Sequence, residues 1–339
     1  MPSSVDLAGS SGACSAARRA AEAGDGGGGQ AAAAAQVVDL PAPVVGSLSP
    51  SRAGDFMTCP LLYRFRVVDR LPERPSAAAA RGTLVHAVLE RLFDLPAARR
   101  TPDEAKALLA PEWERLLAEE PELALVLGED PADQTGSDRE GEATQGWLRG
   151  AHQLLDRYFD LEDPRRLEPA QRELYVETTL EEGLLLRGYV DRLDVAPTGE
   201  LRVVDYKTGR APREAFEAKA LFQMRFYALV LWRTHGRVPR LLQLLYLGSG
   251  EVLRYAPDED DLRATERKLL ALWEAISRAA RTGDWRPNPG RLCAWCDHQP
   301  LCPAFGGTPP PLPAASAEAV PQPAAEDELP SPRAHADDL

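Results

Sequence analysis

Gly188-Tyr189-Val190-Asp191, followed after a short connection by Asp205-Tyr206-Lys207-Thr208-Gly209, is the stretch on which the fold turns. Both runs are strand-like, yet they carry two carboxylates and a lysine, and a charge is expensive to bury unless it pairs or binds metal. Asp205 and Lys207 lie two residues apart, so on a strand their side chains share one face while Tyr206 takes the other. The connection contains Pro197-Thr198-Gly199, a hairpin turn that can bring Asp191 beside Asp205 on a neighbouring strand. Two converging acids suit a hard divalent cation, and an adjacent ammonium suits a water or phosphate held by that cation. The competing reading is a solvated sheet edge with an ordinary Asp–Lys ion pair.

Working outward, the pattern predicts strands over 173–180, 184–195, 201–207 and 241–247, with 251–255 as an edge. A helix is expected over 213–235, with Phe222, Phe226, Leu229 and Trp232 at helical spacing, and a last helix over 258–281. Before the strands, a short helix should open at the cluster Ser47–Ser51, capped by Ser49 or Ser51, and run through Asp55, Phe56 and Cys59. A firmer helix is expected over 78–95, acidic helix over 101–130, a polar loop over 134–143 and an amphipathic helix over 147–160. Helices before and inside a run of strands predict an α/β fold, one central mixed sheet flanked by helices.

The ends differ in composition from the middle. Residues 1–45 are rich in Ala, Gly and Ser, and eight of the 33 residues from 307 to 339 are proline, so both read as disordered tails around a folded part at 46–306. The net charge of −13 argues against a polyanionic partner until its distribution is examined. Residues 101–145 carry thirteen acids against three bases, whereas residues 46–100 carry nine arginines against five acids. That local basic patch, with Arg64, Arg66 and Arg70, leaves phosphate binding open. No run of about 18 apolar residues suggests a membrane span. Arg18-Arg19 is followed by polar residues rather than the apolar core of an export signal, so a cytoplasmic location is expected. Thiols there should be free or metal-bound rather than paired as disulfides.

His86 follows Arg81-Gly82-Thr83 on the expected helix 78–95, where it reads either as a hydrogen-bonded histidine or as a metal ligand. Gln223 and Tyr227, four apart on the helix after the lysine strand, share a face that is either half-buried packing or a polar contact for a ligand. Cys293-Ala294-Trp295-Cys296 and Cys302 form a cysteine-rich segment, and Cys59 is the only other cysteine in the folded part. Three possibilities stand: an iron–sulfur cluster on four cysteines, a zinc site in which His298 could replace Cys59, or unliganded thiols.

Taken in order, Arg81–His86, Gly188–Arg192, Asp205–Gly209 and the pair Gln223/Tyr227 resemble the motifs of RecB-family exonucleases of the PD-(D/E)XK nuclease superfamily. One early cysteine with a late C-x2-C-x5-C resembles the iron–sulfur branch of that family, and the similarity covers about 46–306. The first motif here is Gly188–Asp191 rather than Pro-Asp, as is common in this branch. The resemblance implies a restriction-endonuclease-like core and a metal-dependent DNA exonuclease acting on single-stranded ends in repair or recombination. It implies that His86, Asp191, Asp205 and the Tyr206 carbonyl hold Mg2+ or Mn2+, and that Lys207 positions the attacking water. Gln223 and Tyr227 would support the site or contact DNA. A [4Fe-4S] cluster on Cys59, Cys293, Cys296 and Cys302 would clasp the two ends of the domain and hold Arg64 and Arg66 near the DNA path. Idle scaffolding by such a subunit, or a zinc-dependent interaction role, is the alternative. No G-x4-G-K-[ST] loop is present, so a helicase partner would be a separate chain.

Overall fold

The computed structural model describes residues 46–127, 138–180, 183–212 and 214–312. The expected N-terminal tail and residues 313–339 of the C-terminal one lie outside them. Residues 307–312 do not behave as tail: Leu312 packs against the core, and the Pro310 carbonyl accepts a hydrogen bond from Arg64.

Six strands form one mixed sheet: β1 (Gly46–Leu48), β2 (Gln171–Thr179), β3 (Leu184–Val195), β4 (Leu201–Lys207), β5 (Leu241–Tyr246) and β6 (Glu251–Tyr255). β3 is its centre. β2 runs antiparallel along one edge of β3, pairing residues 171–179 with 185–193. The other edge is shared: β1 pairs in parallel with Leu184–Leu186, and β4 pairs antiparallel with Arg192–Val195. Between those two partners the edge from Arg187 to Asp191 meets no strand among the described residues. β4 continues in parallel to β5, and β6 closes the sheet antiparallel to β5.

Alternation along the strands feeds two cores, as a period of two requires. On one face Val190, Val203 and Leu244 pack with helices α1 (Pro50–Thr58), α7 (Glu214–His235) and α8 (Glu259–Thr282). On the other, Val204, Tyr206 and Leu245 pack with α3 (Ala77–Leu92), α5 (Leu109–Glu119) and α6 (Asp138–Leu161), and α2 (Pro60–Tyr63) and α4 (Pro102–Ala107) complete the helices. Side-chain caps set the helix starts: Ser49 for α1, Ser76 for α3, Thr101 for α4 and a capping box at Asp258 for α8. α8 ends at Gly283, whose φ of 71° lies in the left-handed region that glycine enters without a Cβ clash.

Two segments depart from expectation. Gly46–Leu48, expected as the lead-in to a helix, forms β1, because its backbone adds to the free edge of β3. α6 begins at Asp138, inside the stretch expected as a polar loop. Despite their charge, α4 and α5 are packing elements, burying Ala105, Leu109, Trp113 and Leu116 beside α3 and α6. Among the described residues no helix is long and apolar enough to cross a membrane.

Candidate active site

The unpaired edge of β3 is where the charged side chains meet. β4 leaves β3 after the Arg192–Val204 pair, and the Asp191 carboxylate takes over from the ladder: its Oδ2 accepts the Tyr206 N–H at 2.7 Å. A strand N–H inside a protein needs an acceptor, so the splay between β3 and β4 is stabilised by a side chain. Asp205, buried at 2% exposure, and Lys207 share a face as their spacing demands, with Lys207 Nζ 2.7 Å from Asp205 Oδ2.

α7 approaches from one core. Gln223 Oε1 accepts from Lys207 Nζ at 2.9 Å, while its Nε2 donates to Asp205 Oδ1 at 3.0 Å. One amide thus fixes the acid and the base relative to each other. Tyr227 stands 3.4 Å from the same amide, and burial pushes its phenol well above the usual value. Gly188 lets that ring approach: a Cβ there would come within 2.8 Å of Tyr227. Gly188→Ala is therefore expected to overpack the site by about 1–3 kcal/mol and lower the melting midpoint; an unchanged midpoint would contradict this close approach.

α3 brings His86 from the other core. Its Nε2 lies 2.9 Å from the Tyr206 carbonyl oxygen, and its Nδ1 faces Asp191 Oδ2 at 3.5 Å. The Tyr206 carbonyl, expected only as a cation ligand, already has His86 as a partner. All six of His86, Asp191, Asp205, Lys207, Gln223 and Tyr227 are brought to one place.

The expectation drawn from the sequence omitted a further acid. Glu173 on β2 stands beside Asp191, its Oε1 3.9 Å from His86 Nδ1. Nothing in a sequence pattern marks it, because it lies among strand residues whose register only the fold supplies. Its φ of 43° is left-handed, a conformation that costs a non-glycine residue about 1–3 kcal/mol and persists only where the surroundings enforce it.

Burial first, then the charges of Asp191, Glu90 and Asp205, push the Glu173 carboxyl up to about 8 from an ordinary 4.5. Asp191 is held above the usual carboxylate range, first by burial and then by Asp205. A carboxyl raised by folding binds its proton more tightly in the native state. The stability it lends is complete below about pH 4.5 and is lost as pH climbs to about 8. The metal-free protein is thus expected to melt at progressively lower temperature from about pH 5 to about pH 8; a midpoint that rises over that window would contradict these shifts.

Arg192, which the sequence places in a motif without assigning it work, supports the site from beneath. It is fully buried and donates to both Glu162 oxygens at 2.8 and 3.0 Å, and to the Tyr206 hydroxyl at 2.7 Å. That fork holds the Tyr206 ring, and with it the backbone between Asp205 and Lys207.

A cleft of about 990 Å³ opens over Asp191, Gln223 and Tyr227. Arg52, Arg66, Arg187 and Arg210 line it. Burial and then the Arg187 charge lower the pKa of Arg52, and an anion in the cleft that both line would relieve their repulsion. Arg66 reaches the cleft while paired with Glu73 and Asp55. Arg64, expected near a DNA path, is instead buried and bonded to Asp69 at 2.9 Å and to the Pro310 carbonyl. It opens a π-helical turn (Arg64–Val68) and ties that turn to the segment around Pro310.

The four cysteines line a second cavity of about 350 Å³ with Leu61 and Phe65. Cys59 and Cys302 each cap a short helix with proline at its first position. Backbone N–H groups of Asn288 and Gly290 lie 3.3 Å from the sulfurs of Cys59 and Cys293. Burial raises the Cys296 thiol, a His298 backbone hydrogen bond opposes that, and the Cys293, Cys59 and Cys302 sulfurs add to the rise. His298 turns its Nε2 to Glu73 at 2.9 Å. Nearby, Tyr63 stacks on Trp285 at 6.0 Å and Asn288 bonds the Thr58 carbonyl, so the N- and C-terminal segments meet here.

A mixed sheet with paired carboxylates and a lysine at a strand splay, under a basic cleft, is the architecture of a phosphodiester-handling nuclease core. Residues 47–303 match the PD-(D/E)XK nuclease superfamily, and the chain belongs to it. It is 28% identical over 283 residues to the Gene 69 protein of Mycobacterium phage D29, spanning 76% of this chain and 96% of that one. The Gene 69 protein of Mycobacterium phage L5 is 23% identical over 286 residues, with the same 76% and 96% spans. Among solved structures, a candidate exonuclease from Eubacterium rectale is similar at a TM-score of 0.48 and 13% identity, over 74% of this chain and 87% of that one.

Proposed function

We propose that the protein is a divalent-metal-dependent DNA exonuclease of the RecB-like, iron–sulfur branch, acting on single-stranded ends in repair or recombination. The observation that carries the reading is the convergence of Asp191, Asp205, Lys207 and His86 at the β3–β4 splay, beneath a cleft lined by four arginines. Nucleases of this superfamily use divalent metals, and a donor set of carboxylates and imidazole suits Mg2+ or Mn2+. Such a cation would be held by His86, Asp191 and Asp205 and would supply water activation and charge neutralisation; the Tyr206 carbonyl, expected as a further ligand, accepts from His86 Nε2 instead. Lys207, fixed by Gln223 and Asp205, orients the water and stabilises the charge that develops on the scissile phosphate. Arg52, Arg66, Arg187 and Arg210 hold the flanking backbone phosphates. DNA is the partner, with a helicase as a separate chain where duplex must be opened.

The clasp reading rests on four sulfurs around one apolar cavity, with N–H groups directed at two of them. With His298 turned to Glu73, four thiolates are the donor set, which suits a [4Fe-4S] cluster and also satisfies zinc. The cluster's role is to close the long loop from Cys59 to Cys293. Cys296→Ser is expected to remove a broad visible absorption and lower the melting midpoint; a colourless, zinc-loaded wild type would overturn the iron–sulfur assignment.

The activity is tested with end-labelled single- and double-stranded DNA in Mg2+, Mn2+ or EDTA. Stepwise shortening of the single strand with either metal, and none in EDTA, is expected. Cutting of circular single strands at the same rate as linear ones would contradict exonuclease action.

A further inference from the structure

His86 offers its two ring nitrogens to different neighbours. Nε2 lies 2.9 Å from the Tyr206 carbonyl, which can only accept, so in the neutral ring the proton sits on Nε2 and Nδ1 is a bare lone pair. That lone pair faces Asp191 Oδ2 at 3.5 Å and Glu173 Oε1 at 3.9 Å. One ligand atom from each of the three side chains, all within 4.8 Å of one another, is brought together here. These spacings are too long for hydrogen bonds. The two His86 spacings, 3.5 and 3.9 Å, do fall between the cis and trans ligand separations of an octahedral cation, about 3.0 and 4.2 Å for bonds near 2.1 Å. A metal-bound histidine that donates its other N–H to a backbone carbonyl is a recurrent arrangement, and it fixes the ring.

Two further observations point the same way. Among the described residues no donor stands in hydrogen-bond geometry to the buried Asp205 Oδ2, although Lys207 Nζ is 2.7 Å away. Glu173 also holds a left-handed backbone in mid-strand, between the Arg172–Arg192 and Leu174–Val190 pairs.

We propose that Glu173 is a divalent-cation ligand, binding together with His86 Nδ1 and Asp191 on the β2 side of the splay. The proposal rests on the nuclease reading and deepens it, by giving the metal centre an acid from a third strand. Without the cation, Glu173 is a further acid crowded beside Asp191; with it, the ionised carboxylate becomes a source of affinity.

The test is Mn2+ titration by calorimetry and thermal melting near pH 7.5, on wild type, Glu173→Gln and Glu173→Gly. Glycine accepts the left-handed backbone, so it separates loss of the carboxylate from backbone strain. Both variants are expected to bind Mn2+ at least about tenfold more weakly, to melt higher than wild type in EDTA, and to gain less from saturating Mn2+. Glu200→Gln, on the distant β3–β4 turn, should respond to Mn2+ like wild type. Mn2+ affinity within twofold of wild type in both variants overturns the proposal. The two readings fail separately: a wild type that binds Mn2+ but cuts no DNA defeats the nuclease reading alone. A wild type that cuts DNA beside variants with unchanged Mn2+ affinity defeats the Glu173 assignment alone.

Discussion

Lys207→Ala is expected to lower metal-dependent DNA cleavage by about a hundredfold to a thousandfold while the protein stays folded. Lys207 ends β4, is part-exposed on the cleft side, and gives its ammonium to Asp205 at 2.7 Å and Gln223 at 2.9 Å. It contributes little to either core, so its removal should leave the sheet in place. What is lost is a fixed cation aimed where charge develops on a phosphate, and loss of one such preorganised donor has an effect of that size in other hydrolases. Lys207→Arg should recover only part of the rate, because the planar guanidinium does not fit the compact position between Asp205 and Gln223. Initial rates on labelled DNA, with melting curves as a fold control, check this. A variant that retains half the wild-type rate would remove Lys207 from the chemistry.

Arg192→Ala should produce the largest loss of stability, about 3–5 kcal/mol. The side chain is fully buried and forks onto Glu162, with Asp194 3.1 Å away and the Tyr206 hydroxyl at 2.7 Å. Its removal leaves the little-exposed Glu162 without a cation and the buried Tyr206 hydroxyl without its donor, while Asp194 keeps Arg202 at 2.8 Å. Such a loss is a large fraction of the 5–15 kcal/mol that holds a typical domain together. Arg192→Met, which keeps the volume but not the donors, should recover little, since Glu162 remains without a cation. Urea unfolding reads both variants, and a midpoint within error of wild type would mean that Glu162 finds another partner.

The strand pair was readable because its chemistry is local. A hairpin turn and a period of two suffice to bring Asp191 near Asp205 and to separate Tyr206 from Lys207. The i, i+4 pair Gln223 and Tyr227 was readable for the same reason. β1 was not, since three residues form a strand only when β3 offers a free edge, and that edge is decided by sequence far away. Glu173 was hidden because its nearness to Asp191 follows from the β2–β3 register and its direction from a left-handed backbone that no pattern announces. Arg64 looked available in a basic stretch, yet it is buried and bonded to Asp69 and the Pro310 carbonyl. Charge could be counted in advance; its direction could not.

The central claim is that Asp191, Asp205 and Lys207 form a metal-dependent nuclease centre. Cleavage of 5′-labelled single-stranded DNA by wild type and Asp205→Asn, each in Mn2+ and in EDTA, tests it most directly. Wild type should cut in Mn2+ and not in EDTA, and a folded Asp205→Asn should cut in neither. Cleavage that survives EDTA, or an Asp205→Asn variant as active as wild type, would contradict the account.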